Sequence, residues 1–208
     1  MRPDVTRCFQ LAATHRFRRI CDASSPTACG LACARMGRVS RIAYVSGRLG
    51  AGKSSLAEPL AAELGYSLVT KDLIKETLHD ALYVPDDGEI DRAWSQRLSS
   101  ASFDLLWTLA ARAGDMVIEA NFHPDLAYGT LSGLGSRMVE VHCACPAEVA
   151  RARYNARARH EVHRGTLPLS SMGKYDRPVG VGPLITVDTT GPIDVPAVAA
   201  EVRRLHAG

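Results

Sequence analysis

Apolar positions fall into two kinds of run along this chain. Short, nearly continuous runs rich in β-branched side chains occur at 41–46, 66–70, 116–120, 138–145 and 184–188. Runs of that kind predict strands buried on both faces, as in parallel sheets. Between them, apolar residues recur at spacings of three and four, which predicts helices over 53–64, 73–79, 91–113, from Pro146 to about Ala158, and over 195–206. Pro124 can start a further helix, weakened by Gly129, Gly133 and Gly135. Gly65 closes the first helix, and Pro59 inside it predicts a bend. Pro85-Asp86-Asp87-Gly88 reads as a loop. Strands separated by helices place the fold in the α/β class, a parallel sheet covered on both faces. Any site is expected at the carboxyl ends of its strands.

The connection after the first strand carries the strongest chemical signal. Gly47-Arg48-Leu49-Gly50-Ala51-Gly52-Lys53-Ser54 fits G-x-x-x-x-G-K-[ST], with Ser55 following in the helix. A strand, a glycine loop and a helix in that order aim backbone N–H groups and a helix N-terminus at one spot, which is an anion site. Lys53 is then expected to reach the β- and γ-phosphates of a nucleoside triphosphate, and the Ser54 hydroxyl to ligate Mg²⁺.

Charge changes the picture by its distribution. Residues 1–38 hold seven arginines against Asp4 and Asp22, so the remaining 18 basic and 20 acidic residues leave the body at −2. A nucleic-acid groove should carry a clear positive excess, and this body does not. The leader also holds Cys8, Cys21, Cys29 and Cys33 and shows no periodicity. It reads as a start placed too far upstream or a dispensable leader, then as a disordered arm, then as a targeting segment. Cys21, Cys29 and Cys33 lack the close pairs of a zinc module. The 208 residues, 46% apolar, suffice for one domain, residues 39–208, with a good core. No apolar run approaches the ~20 residues of a membrane span. Cys143 and Cys145, two apart on one strand, suit buried free thiols and so a reducing, cytoplasmic setting.

Other residues refine the chemistry. Asp72 follows the second strand at the edge that carries the glycine loop, where a carboxylate can accept the proton of a substrate hydroxyl or cap the next helix. Glu119 ends the third strand and can hold Mg²⁺ through water or face solvent, with Asn121 and His123 as weaker substrate contacts. Arg151, Arg153, Arg157 and Arg159 precede His160, His163 and Arg164. On one helix Arg153 and Arg157 would share a face and could close over the triphosphate, while the Gly/Pro-rich stretch behind them suits a lid that excludes water. His160-Glu161-Val162-His163 is one residue short of a zinc-protease motif and is not expected to bind metal. Trp94, Phe103 and Trp107 could line a pocket, although apolar residues at helical spacing usually belong to a core.

The glycine loop with Lys53-Ser54-Ser55, Asp72 in Lys71-Asp72-Leu73-Ile74-Lys75, the strand Val117-Ile118-Glu119-Ala120-Asn121-Phe122 and the run Arg157-Ala158-Arg159-His160 resemble the AAA-type "predicted kinase" group of small P-loop phosphotransferases. That group is similar in fold to adenylate, shikimate and gluconate kinases, chloramphenicol phosphotransferase and the zeta toxins. The resemblance spans about residues 40–206. It implies a three-layer α/β/α P-loop NTPase fold of the adenylate-kinase type, with a five-stranded parallel sheet in the order 2-3-1-4-5. It also implies a lid over about residues 151–178 and ATP with Mg²⁺ as phosphate donor. Asp72 matches an aspartate near the acceptor hydroxyl in several relatives, and Arg153 and Arg157 match lid-helix arginines. Leu49 stands where relatives often have Pro, and Glu119 where many have Asp. The resulting expectation is a kinase acting on a small-molecule hydroxyl. A polynucleotide or nucleotide-sugar kinase of toxin type and a non-catalytic ATP-dependent binding module are the alternatives.

Overall fold

Ile42, Ala43, Tyr44 and Val45 are all fully buried, because their strand lies at the centre of the sheet with helices on both sides. Ile42 and Tyr44 point into one apolar cluster and Ala43 and Val45 into the other, as the two-residue strand period requires. Burying each large side chain contributes about 2 kcal/mol. A computed structural model describes residues 39–83, 92–163 and 173–208, within the unit Val39–Gly208. The leader, the loop expected at 85–88 and the middle of the expected lid lie outside the described residues.

The elements are β1 (Arg41–Ser46), α1 (Lys53–Leu64), β2 (Ser67–Thr70), α2 (Lys71–Leu82), α3 (Arg92–Ala110), β3 (Met116–Glu119), α4 (Pro124–Ser132), β4 (Arg137–Ala144), α5 (Ala147–Ala156), a 3₁₀ turn (Glu161–His163), β5 (Leu184–Asp188) and α6 (Val195–Ala207). The strands form one parallel sheet in the order β2-β3-β1-β4-β5. Leu56, Leu60 and Ala61 of α1, Ala150 of α5 and Val202 of α6 cover the Ala43 face. Leu106 of α3 and Leu131 of α4 cover the Tyr44 face. Three α/β/α layers result, as expected. Pro59 lies on the exposed side of α1 and does not end it.

Two boundaries differ from the sequence reading for physical reasons. Helix α2 starts at Lys71, because Thr70 Oγ1 accepts the Leu73 N–H at 3.3 Å and caps it. Helix α5 stops at Ala156, and Arg157 is extended (φ −78°, ψ 129°), so Arg153 and Arg157 do not share a helix face.

Glu140, fully buried within β4, ties the chain before β5 to the sheet. Its carboxylate accepts from Ser46 Oγ (2.5 Å), Tyr44 Oη (2.8 Å), Val179 N (2.9 Å) and Gly180 N (2.8 Å). The Tyr44 hydroxyl in turn accepts from Val181 N at 3.0 Å, and burial followed by the Glu140 charge pushes its pKa up. Glu140→Gln places an amide NH₂ against backbone donors that cannot turn away. It should cost about 3 kcal/mol in urea unfolding, and an unchanged midpoint would remove Glu140 from this role.

Candidate functional site

The loop between β1 and α1 is shaped by what surrounds it. Gly47 (φ 134°) and Gly50 (φ 78°) occupy left-handed backbone regions, and neither has room for a side chain. A Cβ on Gly47 would lie 2.7 Å from the Cys143 carbonyl oxygen, and one on Gly50 would lie 2.1 Å from that of Ala150. Ala51 N donates to Arg48 O at 3.2 Å, and the Lys53 ammonium folds back over the loop to the same oxygen at 2.9 Å. Lys53 is thereby buried at the loop's mouth, beside the first turn of α1. Thr189, just beyond β5, holds the loop from the other side. Its hydroxyl donates to Ala51 O at 2.7 Å and lies 3.1 Å from Ala144 O. A curled loop, a lysine at its mouth and a helix N-terminus make a cradle that fits a triphosphate. The Arg48 side chain, mostly buried, pairs with Asp176 through Nε, at 2.6 Å, and Nη2.

The sheet register assembles the carboxylates on one flank of this cradle. Val45 pairs with Glu119 and Thr70 with Glu119, so the ends of β1, β3 and β2 meet there. Ser54 Oγ donates to Glu119 Oε2 at 3.3 Å. Burial raises the Glu119 pKa and Asp72 adds to the rise, while Lys53, the Ser54 hydrogen bond and Arg157 oppose it. A hydroxyl and a carboxylate side by side at the first turn of α1 are a donor set suited to a hard divalent cation.

Asp72 lies two residues past Thr70. Because Thr70 caps α2, the Asp72 carboxylate is released from capping. It is about half exposed, and its Oδ1 lies 3.3 Å from Lys71 Nζ. Burial acts to raise its pKa, but Lys71, His163 and Lys53 together win and hold it below the usual range. Asp72 is therefore an ionised carboxylate within the field of Lys53. Beneath it Lys71 lies over the Phe103 ring (5.8 Å), which stacks on Trp107 (5.8 Å). Phe103 and Trp107 pack on the core cluster, whereas Trp94 turns to His79 (3.2 Å).

The arginines separate. Arg153 donates to Thr189 O at 2.8 Å and to Thr190 O at 3.1 Å, on the β5 flank. Arg157 lies beyond the end of α5, and its charge slightly favours ionised Glu119. Arg159 lies over the Tyr154 ring at 4.1 Å. The two described ends of the expected lid are both docked. Residues 160–163 pair with α2, and after the gap Tyr175 meets the His123 ring (6.1 Å) while Arg177 pairs with Asp125.

A cleft of about 630 Å³ lies along the ends of β4 and β5, lined by residues including His142, Cys145, Pro146, Asp188 and Thr190. It opens on the opposite side of the central strand from Glu119 and Asp72. Cys143 and Cys145 are free thiols, and burial pushes Cys143 up to about 12, so it remains an inert thiol. Sequence reasoning did not single out Glu140 or Thr189. A lone charge inside an apolar strand was the signal for Glu140, whereas a threonine after a strand carries none.

Comparison with solved structures supplies relatives. A candidate kinase from Chloroflexus aurantiacus is 29% identical, over 80% of this chain and 98% of that one, with a TM-score of 0.69. A sugar kinase from Janibacter sp. is 20% identical over 82% of this chain and 98% of its own, with a TM-score of 0.53. The APS kinase CysC of Mycobacterium tuberculosis, solved with AMPPNP and APS, is 23% identical over 82% and 99%, with a TM-score of 0.50. At such identity these last two show the fold alone. A search of curated proteins gives no match. The family described as "AAA domain" matches residues 42–177, from the first strand through the glycine loop to the segment that docks on it. The chain belongs to that AAA domain family, with the three-layer P-loop fold of small kinases.

Proposed function

We propose that this protein transfers the γ-phosphate of ATP to a hydroxyl group of a small molecule. The observation that carries this reading is the meeting of the Lys53 cradle, the Ser54–Glu119 pair and ionised Asp72 at the ends of three neighbouring strands. Lys53 and the loop hold the β- and γ-phosphates, with the base end of the nucleotide running toward β4 and β5. Ser54 and Glu119 would hold Mg²⁺, which when bound neutralises charge on the phosphate oxygens. Asp72 orients the acceptor hydroxyl and takes its proton, and Arg157 would offset charge that develops on the transferring group. Arg153 serves the nucleotide flank by holding the carbonyls of Thr189 and Thr190. Residues 39–208 form the catalytic body, and two free thiols suit a reducing cytoplasm. Among the described residues no helix is long and apolar enough to cross a membrane.

The test starts with the full chain, ATP and Mg²⁺ added to a cell extract, with mass spectrometry identifying the metabolite that gains phosphate. Asp72→Asn should bind a fluorescent ATP analogue as the parent does, and transfer phosphate to that metabolite about 100-fold more slowly. Undiminished transfer removes Asp72 from the reaction. Tight ATP binding with no phosphorylated metabolite favours a binding module, and salt-sensitive oligonucleotide binding favours a polynucleotide acceptor.

A further inference from the structure

Two lysines on the inner face of α2 carry charge that the fold matches only in part. Lys71 and Lys75 stand one turn apart, and both are buried, at 8% and 2% exposed. An ammonium group has three N–H donors, and burying its charge is costly unless it is paired. Lys75 directs its donors to neutral oxygens, Ser95 Oγ at 2.8 Å and the Val162 carbonyl at 3.4 Å. Ser95 Oγ donates to that same carbonyl at 3.0 Å, which closes the triangle. Lys75 is thus a mounted positive charge with no acidic hydrogen-bond partner. Burial, then the neighbouring Lys71, pulls its pKa down to about 8, so it stays charged at pH 7.

Lys71 is held differently. Its ammonium lies over the Phe103 ring at 5.8 Å, and its one hydrogen bond goes to Asp72 Oδ1 at 3.3 Å. That is long for a charge-assisted bond, and two N–H donors remain. Glu76, the other carboxylate that acts on Lys75, is engaged by His163 at 2.9 Å. Two buried ammonium groups therefore share the Asp72 carboxylate, which is itself about half exposed. Whatever docks at Asp72 meets a surplus of positive charge beside it.

We propose that the acceptor is an anion, a small molecule whose carboxylate or phosphate group is bound by Lys71 while its hydroxyl sits on Asp72. This rests on the reading of Asp72 as the base. Lys75, one turn behind, adds charge without contact. With Lys71 Nζ 3.3 Å from Asp72 Oδ1, hydrogen bonds of about 2.8 Å on each side hold the two groups of the acceptor a few ångströms apart. The acceptor is thus compact, a hydroxy acid or a phosphate ester. In the transfer its hydroxyl oxygen bonds to the γ-phosphorus, and the bond to the β–γ bridging oxygen breaks with its electron pair left on ADP. The hydroxyl proton goes to Asp72 and then to water, and the anionic group takes no part in bond making.

The first arm of the test uses the parent full chain. A deproteinised cell extract is split on an anion-exchange resin at pH 7, and each fraction is given to the protein with γ-labelled ATP and Mg²⁺. Label should pass to a compound in the salt-eluted fraction. Treating the extract beforehand with an immobilised phosphatase separates the sources, since a phosphate ester is lost and a carboxylate survives. Label confined to the flow-through overturns the anionic acceptor while the kinase reading stands. With the eluted fraction as acceptor, Lys71→Gln should raise its apparent KM about tenfold or more, with KM for ATP within about twofold, and Lys71→Arg should stay near the parent. A fall in kcat with the acceptor KM unmoved means that Lys71 serves Asp72 alone, and overturns the site. Label in neither fraction defeats the kinase reading itself. The second arm then still decides: with the glycine loop filled by a non-hydrolysable ATP analogue and Mg²⁺, inorganic phosphate or malonate should shift the Lys71 side-chain NMR signal saturably. An unmoved signal with both probes overturns the site.

Discussion

Lys53→Ala is expected to abolish measurable ATP binding at micromolar protein, a loss of about 100-fold or more, while the protein stays folded. The ammonium is buried at the mouth of the glycine loop, held by the Arg48 carbonyl at 2.9 Å. Removing one partner of a desolvated charge pair typically costs about 2–5 kcal/mol, because the other partner is left without its counter-charge. Here the triphosphate would lose that partner, and so would Glu119, whose ionised form Lys53 favours. The buried carboxyl should then take up a proton more readily, which weakens the cation site in the same step. Titration with a fluorescent ATP analogue, with a thermal melt as control, makes the check. Parental affinity in Lys53→Ala means the phosphates bind elsewhere.

Gly50→Ala should lose both stability and nucleotide binding, for a reason of shape alone. A methyl group there would stand 2.1 Å from the Ala150 carbonyl oxygen, part of α5's backbone and unable to swing aside. The left-handed conformation adds roughly 1–2 kcal/mol of its own. A total near 4 kcal/mol is expected, since either the loop or α5 must shift. Gly65→Ala is the matched control, with a similar φ of 69° and nothing within 4 Å of the added carbon. It should cost only the backbone term and leave ATP binding intact. Equal effects at the two positions would mean that α5 does not buttress the loop.

Most of the architecture was legible because the three central strands are buried on both faces and read as continuous apolar runs, although the edge strands β2 and β5 are largely exposed. The glycine loop was legible because its backbone geometry tolerates few sequences. The strand order came from resemblance, since pattern alone does not order strands. What the sequence hid is tertiary. The cap of α2 passes to Thr70 once β2 ends there, which separates the two roles open to Asp72. The end of α5 at Ala156 carries no glycine or proline signal. It is set by the pairing of residues 160–163 with Glu76, His79 and Asp80, more than eighty residues away in two of the three rungs and eighty in the third. Arg153 and Arg157 look alike at helical spacing, yet the backbone turns extended at Arg157 and takes it off the helix that carries Arg153.

The tie at Glu140 has a consequence for how such proteins diversify. Val179, Gly180 and Val181 are gripped through their main-chain N–H groups, so the hydrogen bonding reads no side chain, and the core asks only that Val179 and Val181 be apolar. Exchange among apolar residues at Val179 and Val181 therefore leaves the grip on the sheet in place, whereas Gly180, at φ 85°, is fixed by its backbone. Sequence can drift along this strip without renegotiating the sheet beneath it.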